Sequence, residues 1–205
     1  SFEKVMKKIL ITRKLIKSSE EYAASIFDVK LNKEDRVLTK DDVISQSNDC
    51  DGILTSLTEK LDADTISKLS GKIKIISNFA VGVGNIDLDA AKKRNIVVTN
   101  TPDVLTDATA EIAILVLLGA ARRAKEGMEW ANKKNWKWSA DFLMGKQLTG
   151  SRLGILGMGR IGRAVADRAR SFGMTIHYYN RSRLDNNLEK DATYHKSLES
   201  LLSVS

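Results

Sequence analysis

Apolar residues in the first hundred positions come in short runs, separated by polar segments that begin with capping residues. Lys8 to Thr12 (KILIT), Gly52 to Thr55 (GILT), Lys72 to Ser77 (KIKIIS) and Ile96 to Thr99 (IVVT) have the length and branched-chain content of core strands. Between them lie helix-starting cues. Ser18 and Glu21 have capping-box spacing and predict a helix through Phe27, and Thr39 with Asp42 repeats the cue before Val43 and Ile44. Asp62 or Asp64 opens another helix that should end at Gly71, and Asp87 caps a short one through Arg94. Strands alternating with helices predict a parallel sheet with helical crossovers, hence an α/β unit.

Beyond it the pattern changes. The only proline, Pro102, stands before a stretch read as one long helix from about Asp107 to Trp130. This helix is almost wholly apolar from Ala110 to Ala121, which predicts burial on most sides. A polar segment with three tryptophans follows. Arg152 to Leu156 (RLGIL) then reads as a strand and runs directly into Gly157-Met158-Gly159-Arg160-Ile161-Gly162. Ile161, Val165, Ala169 and Phe172 recur at helical spacing, Gly173 marks a stop, and Met174 to Tyr179 is the next strand.

Strand, glycine triplet, helix and strand together are the context that G-x-G-x-x-G needs to read as a dinucleotide site rather than a bare tight turn. Gly157 permits the turn, Gly159 lets backbone approach a pyrophosphate, and Gly162 lets helix and strand pack closely. Phosphate would sit against the helix N-terminus, where free N–H groups and the dipole favour anions. At the end of the second strand, where an NAD site carries Asp or Glu, this chain has Asn180, then Arg181, Ser182 and Arg183. Losing the carboxylate removes repulsion of a 2′-phosphate, and two guanidiniums offer charge-assisted hydrogen bonds to it. NADP(H) is therefore expected, with NAD(H) second; the bland reading makes both arginines solvated loop charges.

Composition narrows the class. A formal charge of +7 favours anionic partners without choosing among nucleic acid, phosphate cofactor and carboxylate substrate. The lone Cys50 rules out an internal disulfide and reads as a small core residue in a reducing compartment, so a cytoplasmic location is expected. The first sixteen residues are broken up by lysines and arginine, unlike a secretory leader. The run at 110–121 is too short to cross a bilayer, so no membrane association is expected. No cysteine and histidine spacing suggests a metal site.

Several ordered motifs resemble those of the D-2-hydroxyacid dehydrogenases. Val81-Gly82-Val83-Gly84-Asn85-Ile86-Asp87 is similar to that family's VGxDxID turn. Asn100-Thr101-Pro102 with Asp107-Ala108-Thr109-Ala110-Glu111 resembles its NTP…(T/V)AE segment, and LGILGMGRIGRAVADRARSFGM resembles its cofactor fingerprint. Within the family, Asn180 to Arg183 is most similar to glyoxylate/hydroxypyruvate reductases.

The resemblance implies an α/β fold: a flavodoxin-like substrate domain over residues 1–101, then the first half of a Rossmann dinucleotide-binding domain over 102–205. It implies that amides of Val81 and Gly82 hold the substrate carboxylate and that Leu54 lines the substrate pocket. It also places Thr109 near the nicotinamide, and Arg160 and Ile161 at the pyrophosphate. Local sequence alone reads Gly82 and Gly84 equally well as a tight turn, and Thr109 as a helix cap.

The resemblance implies that the segment with Trp130, Trp136 and Trp138 among Lys133, Lys134 and Lys137 is the family's dimerisation arm. A homodimer through Asp107–Leu148 is expected there, in preference to single-stranded nucleic acid. The resemblance places the family's catalytic Arg, Glu and His downstream of Ser205, so the chain is expected to be truncated before them; neither His177 nor His195 stands in for them, and no catalytic residue is assigned. The closing Leu201 to Ser205 is read as the start of a further strand, and the piece is expected to be inactive alone. Reduction of a small 2-oxoacid, glyoxylate or hydroxypyruvate, with NADPH is the leading expectation. The alternative is a nucleotide-sensing interaction protein resembling corepressors of the same fold.

Overall fold

The apolar runs KILI, GILT and IISN become the three inner strands of a five-stranded sheet. The computed structural model describes residues 6–135 and 137–205, which divide into two compact units, Ser1–Pro102 and Asp103–Ser205.

In the first unit the chain runs β1 (Lys8–Ile11), α1 (Lys17–Ile26), β2 (Asp28–Leu31), α2 (Lys40–Gln46), β3 (Gly52–Thr55), α3 (Ala63–Lys68), β4 (Ile75–Asn78), α4 (Leu88–Lys93) and β5 (Val97–Thr99). All pairings are parallel in the order β2-β1-β3-β4-β5, the flavodoxin-like arrangement. Leu10, Ile53, Ile66, Ile73 and Ile76 form its core together with Cys50, whose burial pushes the thiol pKa up. Gly52 has a packing reason: a Cβ there would stand 2.8 Å from the Ile75 side chain on the neighbouring strand.

Caps fix the helix starts. Thr39 and Asp42 make the expected reciprocal box, Asp62 accepts from the Thr65 amide, and Asp87 accepts from the Ala90 amide. The Ser18 box does not form. α1 begins after Ile16, and Glu20 reaches back to the Leu15 amide at 2.9 Å instead of Glu21 pairing with Ser18. α3 also ends at Lys68, before Gly71, where Arg94 donates to the carbonyls of Ile66 and Leu69 and caps the helix from outside. β2 carries no clean alternation and was not expected; it is an edge strand held by pairing with β1.

The second unit runs α5 (Thr106–Ala121), α6 (Ala124–Ala131), β6 (Arg152–Leu156), α7 (Arg160–Ser171), β7 (Thr175–Tyr179), α8 (Asn186–Glu189), β8 (Thr193–His195) and α9 (Leu198–Leu202). β6, β7 and β8 are parallel and adjacent in chain order, as in one half of a dinucleotide-binding sheet. Its core joins Ile155, Met158, Ala166, Ala169, Ile176 and Tyr178 to Ile114 and Leu148.

Three expectations fail here. The single long helix is broken at Arg122 and Arg123, the latter in a left-handed conformation (φ 53°), so α5 and α6 are separate. α5 is not buried on most sides: Ile112, Leu115 and Val116 are 60%, 64% and 63% exposed. The closing residues form α9, capped by Ser197 on the Ser200 amide, rather than a strand. Two leucines at 201 and 202 suit either periodicity, and the cap decides. Among the described residues no helix is long and apolar enough to cross a membrane.

Candidate functional site

The turn from β6 into α7 begins at Gly157, whose φ of +96° lies in the region that favours glycine. Gly162, on the first turn of α7, is fixed by packing, because a Cβ there would lie 2.3 Å from the Gly157 carbonyl oxygen. Gly159 is different. It is the N-cap of α7, no side chain caps the helix, and a Cβ would meet nothing within 4 Å. Open space over an uncapped helix start is what an approaching diphosphate requires, so these residues fit a dinucleotide.

Beside this turn lies a cleft of about 450 Å³ between the ends of β6 and β7. Gly157, Met158, Gly159, Asn180, Arg181 and Ser182 line it, with Leu156, Tyr179 and Leu184 adding apolar surface. Among the described residues that line it there is no carboxylate, and the sequence reading missed one of its cations, Arg163. Arg163 lies one turn after Arg160 on α7, a spacing that could have drawn attention to it. Tyr179 and Asn180 reach the cleft because β7 pairs in register with β6, Tyr179 opposite Leu156.

The expected site residues divide by what they touch. The Asn180 carboxamide oxygen accepts the Met158 amide at 2.7 Å and braces the glycine turn. Arg183 is outside the cleft lining. Its guanidinium makes two hydrogen bonds to Glu189, at 2.8 and 2.6 Å, so in this structure its charge is paired with a carboxylate. Glu189 is buried and also accepts from the Tyr178 hydroxyl at 2.5 Å. Those two partners, Arg183 first, hold its pKa down to about 2. Arg181 and Ser182 remain exposed at the cleft. Arg160 presents its backbone at the start of α7, while its side chain pairs with Asp103 at 2.9 Å. Ile161 follows on the same turn, partly buried. Thr109 is exposed within α5, four residues past the Leu105 N-cap, which removes its reading as a cap.

In the first unit, Leu54 lines an apolar cavity of about 820 Å³ bounded by α1 and the ends of the inner strands, with Ser77, Asn78 and Thr101. Val81 and Gly82 are not in that lining; they form the turn after β4. Gly82 and Gly84 do not have positive φ, so the turn does not need glycine for its backbone conformation. Space for a neighbour is the remaining physical reason, since a Cβ at either would meet nothing within 4 Å.

The histidines have a partner the sequence did not reveal, each other. His177 Nδ1 and His195 Nε2 are 2.9 Å apart, and His195 Nδ1 lies 2.8 Å from the Ser200 hydroxyl. Among the described residues there is no group of three or more potential metal ligands. Trp130 packs edge-on to Phe142, and the Lys133 ammonium lies 4.0 Å from the Trp130 ring centroid. Trp138 is exposed, and Trp136 lies outside the described residues.

These features agree with comparisons to known proteins. The family model for the D-isomer specific 2-hydroxyacid dehydrogenase catalytic domain matches residues 9–199. The chain is 43% identical over 202 residues to the glycerate dehydrogenase of Hyphomicrobium methylovorum, covering 97% of this chain and 63% of that protein. It is 39% identical over 203 residues to the glyoxylate reductase of Thermococcus kodakarensis, covering 97% and 61%. Among solved structures, an NADPH-dependent glyoxylate/hydroxypyruvate reductase from Sinorhizobium meliloti superposes with a TM-score of 0.76 at 30% identity, covering 95% of this chain and 60% of that one. The chain thus spans somewhat under two thirds of the relatives it matches.

Proposed function

The chain belongs to the D-isomer-specific 2-hydroxyacid dehydrogenase family, and from that membership we propose that the protein containing it transfers hydride between NADP(H) and a small 2-oxo or 2-hydroxy acid. Glyoxylate and hydroxypyruvate are the substrates we favour, in line with the names of the relatives. The observation that carries the reading is the uncapped, open helix start at Gly159 beside a cleft lined by Arg163 and Arg181 and, among the described residues, by no carboxylate.

In this reading the second unit grips the cofactor and the first holds the acid. Amides at the start of α7 face the diphosphate, with Gly157, Gly159, Arg160, Ile161 and Gly162 shaping the turn. Arg181 and Ser182 take the 2′-phosphate, and Arg163 adds positive charge. Asn180 acts by holding the turn through Met158, and Arg183 by holding its own loop through Glu189. Thr109 contributes near the nicotinamide, whose C4 carries the hydride when the cofactor is bound. Val81 and Gly82 donate N–H groups to the substrate carboxylate, and Leu54 gives the pocket an apolar wall. The exposed face of α5, with Ile112, Leu115 and Val116, supports self-association as a homodimer.

The test is a comparison of NADPH and NADH as reductants of glyoxylate by the protein containing this chain. Arg181→Ala should raise the KM for NADPH about tenfold and leave that for NADH nearly unchanged. Equal use of both cofactors by the unaltered protein defeats the NADP(H) assignment, and absence of turnover with either acid defeats the substrate class.

A further inference from the structure

The Asn100-Thr101 pair that opens the interdomain motif has a physical task in the first unit that its sequence resemblance does not assign. We propose that Asn100, assisted by Asn78, is a positioning residue that aims the Val81 and Gly82 amides at the substrate carboxylate. This rests on the reading of those amides as the carboxylate site.

The geometry concerns three consecutive peptide planes. In a trans peptide the carbonyl and the following N–H lie in one plane and point in opposite directions, so gripping the carbonyl from behind sets where the N–H points. The Ala80 carbonyl accepts the Thr101 amide at 2.9 Å, which fixes the plane containing the Val81 N–H. The Val81 carbonyl accepts the Asn100 carboxamide at 2.8 Å, which fixes the plane containing the Gly82 N–H. The Gly82 carbonyl accepts the Asn78 carboxamide, also at 2.8 Å, and locks the next plane.

Asn78 is itself held. It is 2% exposed, and its amide also donates to Asn85 Oδ1 at 3.0 Å. Asn85 in turn donates to the carbonyls of Ser56 and Glu59 at 2.9 and 3.1 Å. The turn is therefore anchored to the loop after β3 on one side and to the segment after β5 on the other.

Such bracing has two effects on an anion at this turn. Two donors already aimed need not be reoriented on binding, which lowers the cost of recognition. A hydrogen bond accepted by a peptide carbonyl also polarises that peptide and strengthens its N–H as a donor. The space where a Cβ at Gly82 or Gly84 would stand is open, so no side chain at either position packs to hold the turn and the hydrogen bonds carry that task.

The experiment is Asn100→Asp in the protein containing this chain, with glyoxylate as the probe. The exchange keeps the shape of the side chain and replaces the donor with an acceptor that repels the Val81 carbonyl. Asn100 is exposed, so this variant is the one expected to fold. We expect the KM for glyoxylate to rise about three- to tenfold, the loss of one weakened hydrogen bond, with the NADPH dissociation constant unchanged. Asn100→Gln, which keeps a donor, should recover most of the loss. Asn78→Asp should act in the same direction where it folds. A purely structural role would lower the melting temperature without a selective rise in KM, and that result overturns the inference. Gly82→Pro separates the two levels of the argument by deleting the N–H itself. If it leaves the KM for glyoxylate unchanged, the carboxylate assignment fails. If it raises KM while Asn100→Asp does not, only the bracing role fails.

Discussion

Arg183, in the loop after β7, and Glu189, the last residue of α8, meet through two hydrogen bonds of 2.8 and 2.6 Å. The carboxylate is buried while the arginine is largely exposed, with the Tyr178 hydroxyl completing the site. Two guanidiniums that look equivalent in Arg181-Ser182-Arg183 thus have different work. One faces the cleft, and the other neutralises a buried acid at the base of the same loop.

This pairing predicts an acid-sensitive second unit. The folded-state pKa of Glu189, about 2, is below the ordinary value of about 4.3 for an unfolded glutamate. Its contribution to stability is therefore complete above about pH 4.3 and is lost as pH falls toward 2. Melting temperatures measured from pH 7 to 2 should show this fall, and Glu189→Gln should flatten it while lowering stability at pH 7. An unchanged acid limb in the variant would show that other carboxylates carry the effect.

The histidine pair gives a second pH signature of distinct origin. Burial foremost, then the neighbouring charges of His195 and Arg152, lower the His177 pKa. The unfolded chain takes up its proton near pH ~6.5, before the folded chain does. Stability should thus be level above that pH and decline below it, down through the folded-state value. His177→Gln should remove the decline that sets in below about pH 6.5 in a thermal melt; a decline of the same size in the variant would contradict the assignment.

Gly162→Ala should be damaging even though alanine favours helices. Its Cβ would fall 2.3 Å from the Gly157 carbonyl oxygen, a backbone atom that cannot swing aside. A destabilisation of about 1–3 kcal/mol is expected from the overpacking, together with weaker dinucleotide binding as the turn is pushed open. Gly159→Ala, whose new methyl meets nothing within 4 Å beyond its own chain neighbours, should spare stability and weaken cofactor binding alone. Chemical denaturation and fluorescence titration of each variant separate the two effects.

The proposed homodimer gives the last prediction. Leu115→Lys places a charge in the middle of the exposed apolar face of α5. Sedimentation of the protein containing this chain should shift from dimer to monomer, because an unpaired charge is costly to bury. A dimer of unchanged strength would locate the interface elsewhere.

What the sequence determined by itself was set by near neighbours, though not every local cue held: the Ser18–Glu21 box does not form. The strand runs, the caps at Thr39, Asp62 and Asp87, and the glycine turn after Leu156 are short-range steric and hydrogen-bonding preferences, so they are legible in order along the chain. The α/β class follows from their alternation. Where local cues conflicted or were absent, legibility ended: β2 has no alternation, α5 breaks at a left-handed arginine, and the last leucines suit strand and helix alike.

Only the tertiary structure decided which polar groups are already spoken for. Sheet register brings Asn180 to the Met158 amide and His177 beside His195, while the loop after β7 folds Arg183 onto Glu189. It also decided that Asn100 stands behind the Val81 carbonyl, nineteen residues away. Such pairings depend on how strands lie side by side. A linear pattern carries each residue's chemistry but not its distance to a partner on another strand, and that distance separates a residue that binds a ligand from one that holds the binding residue in place.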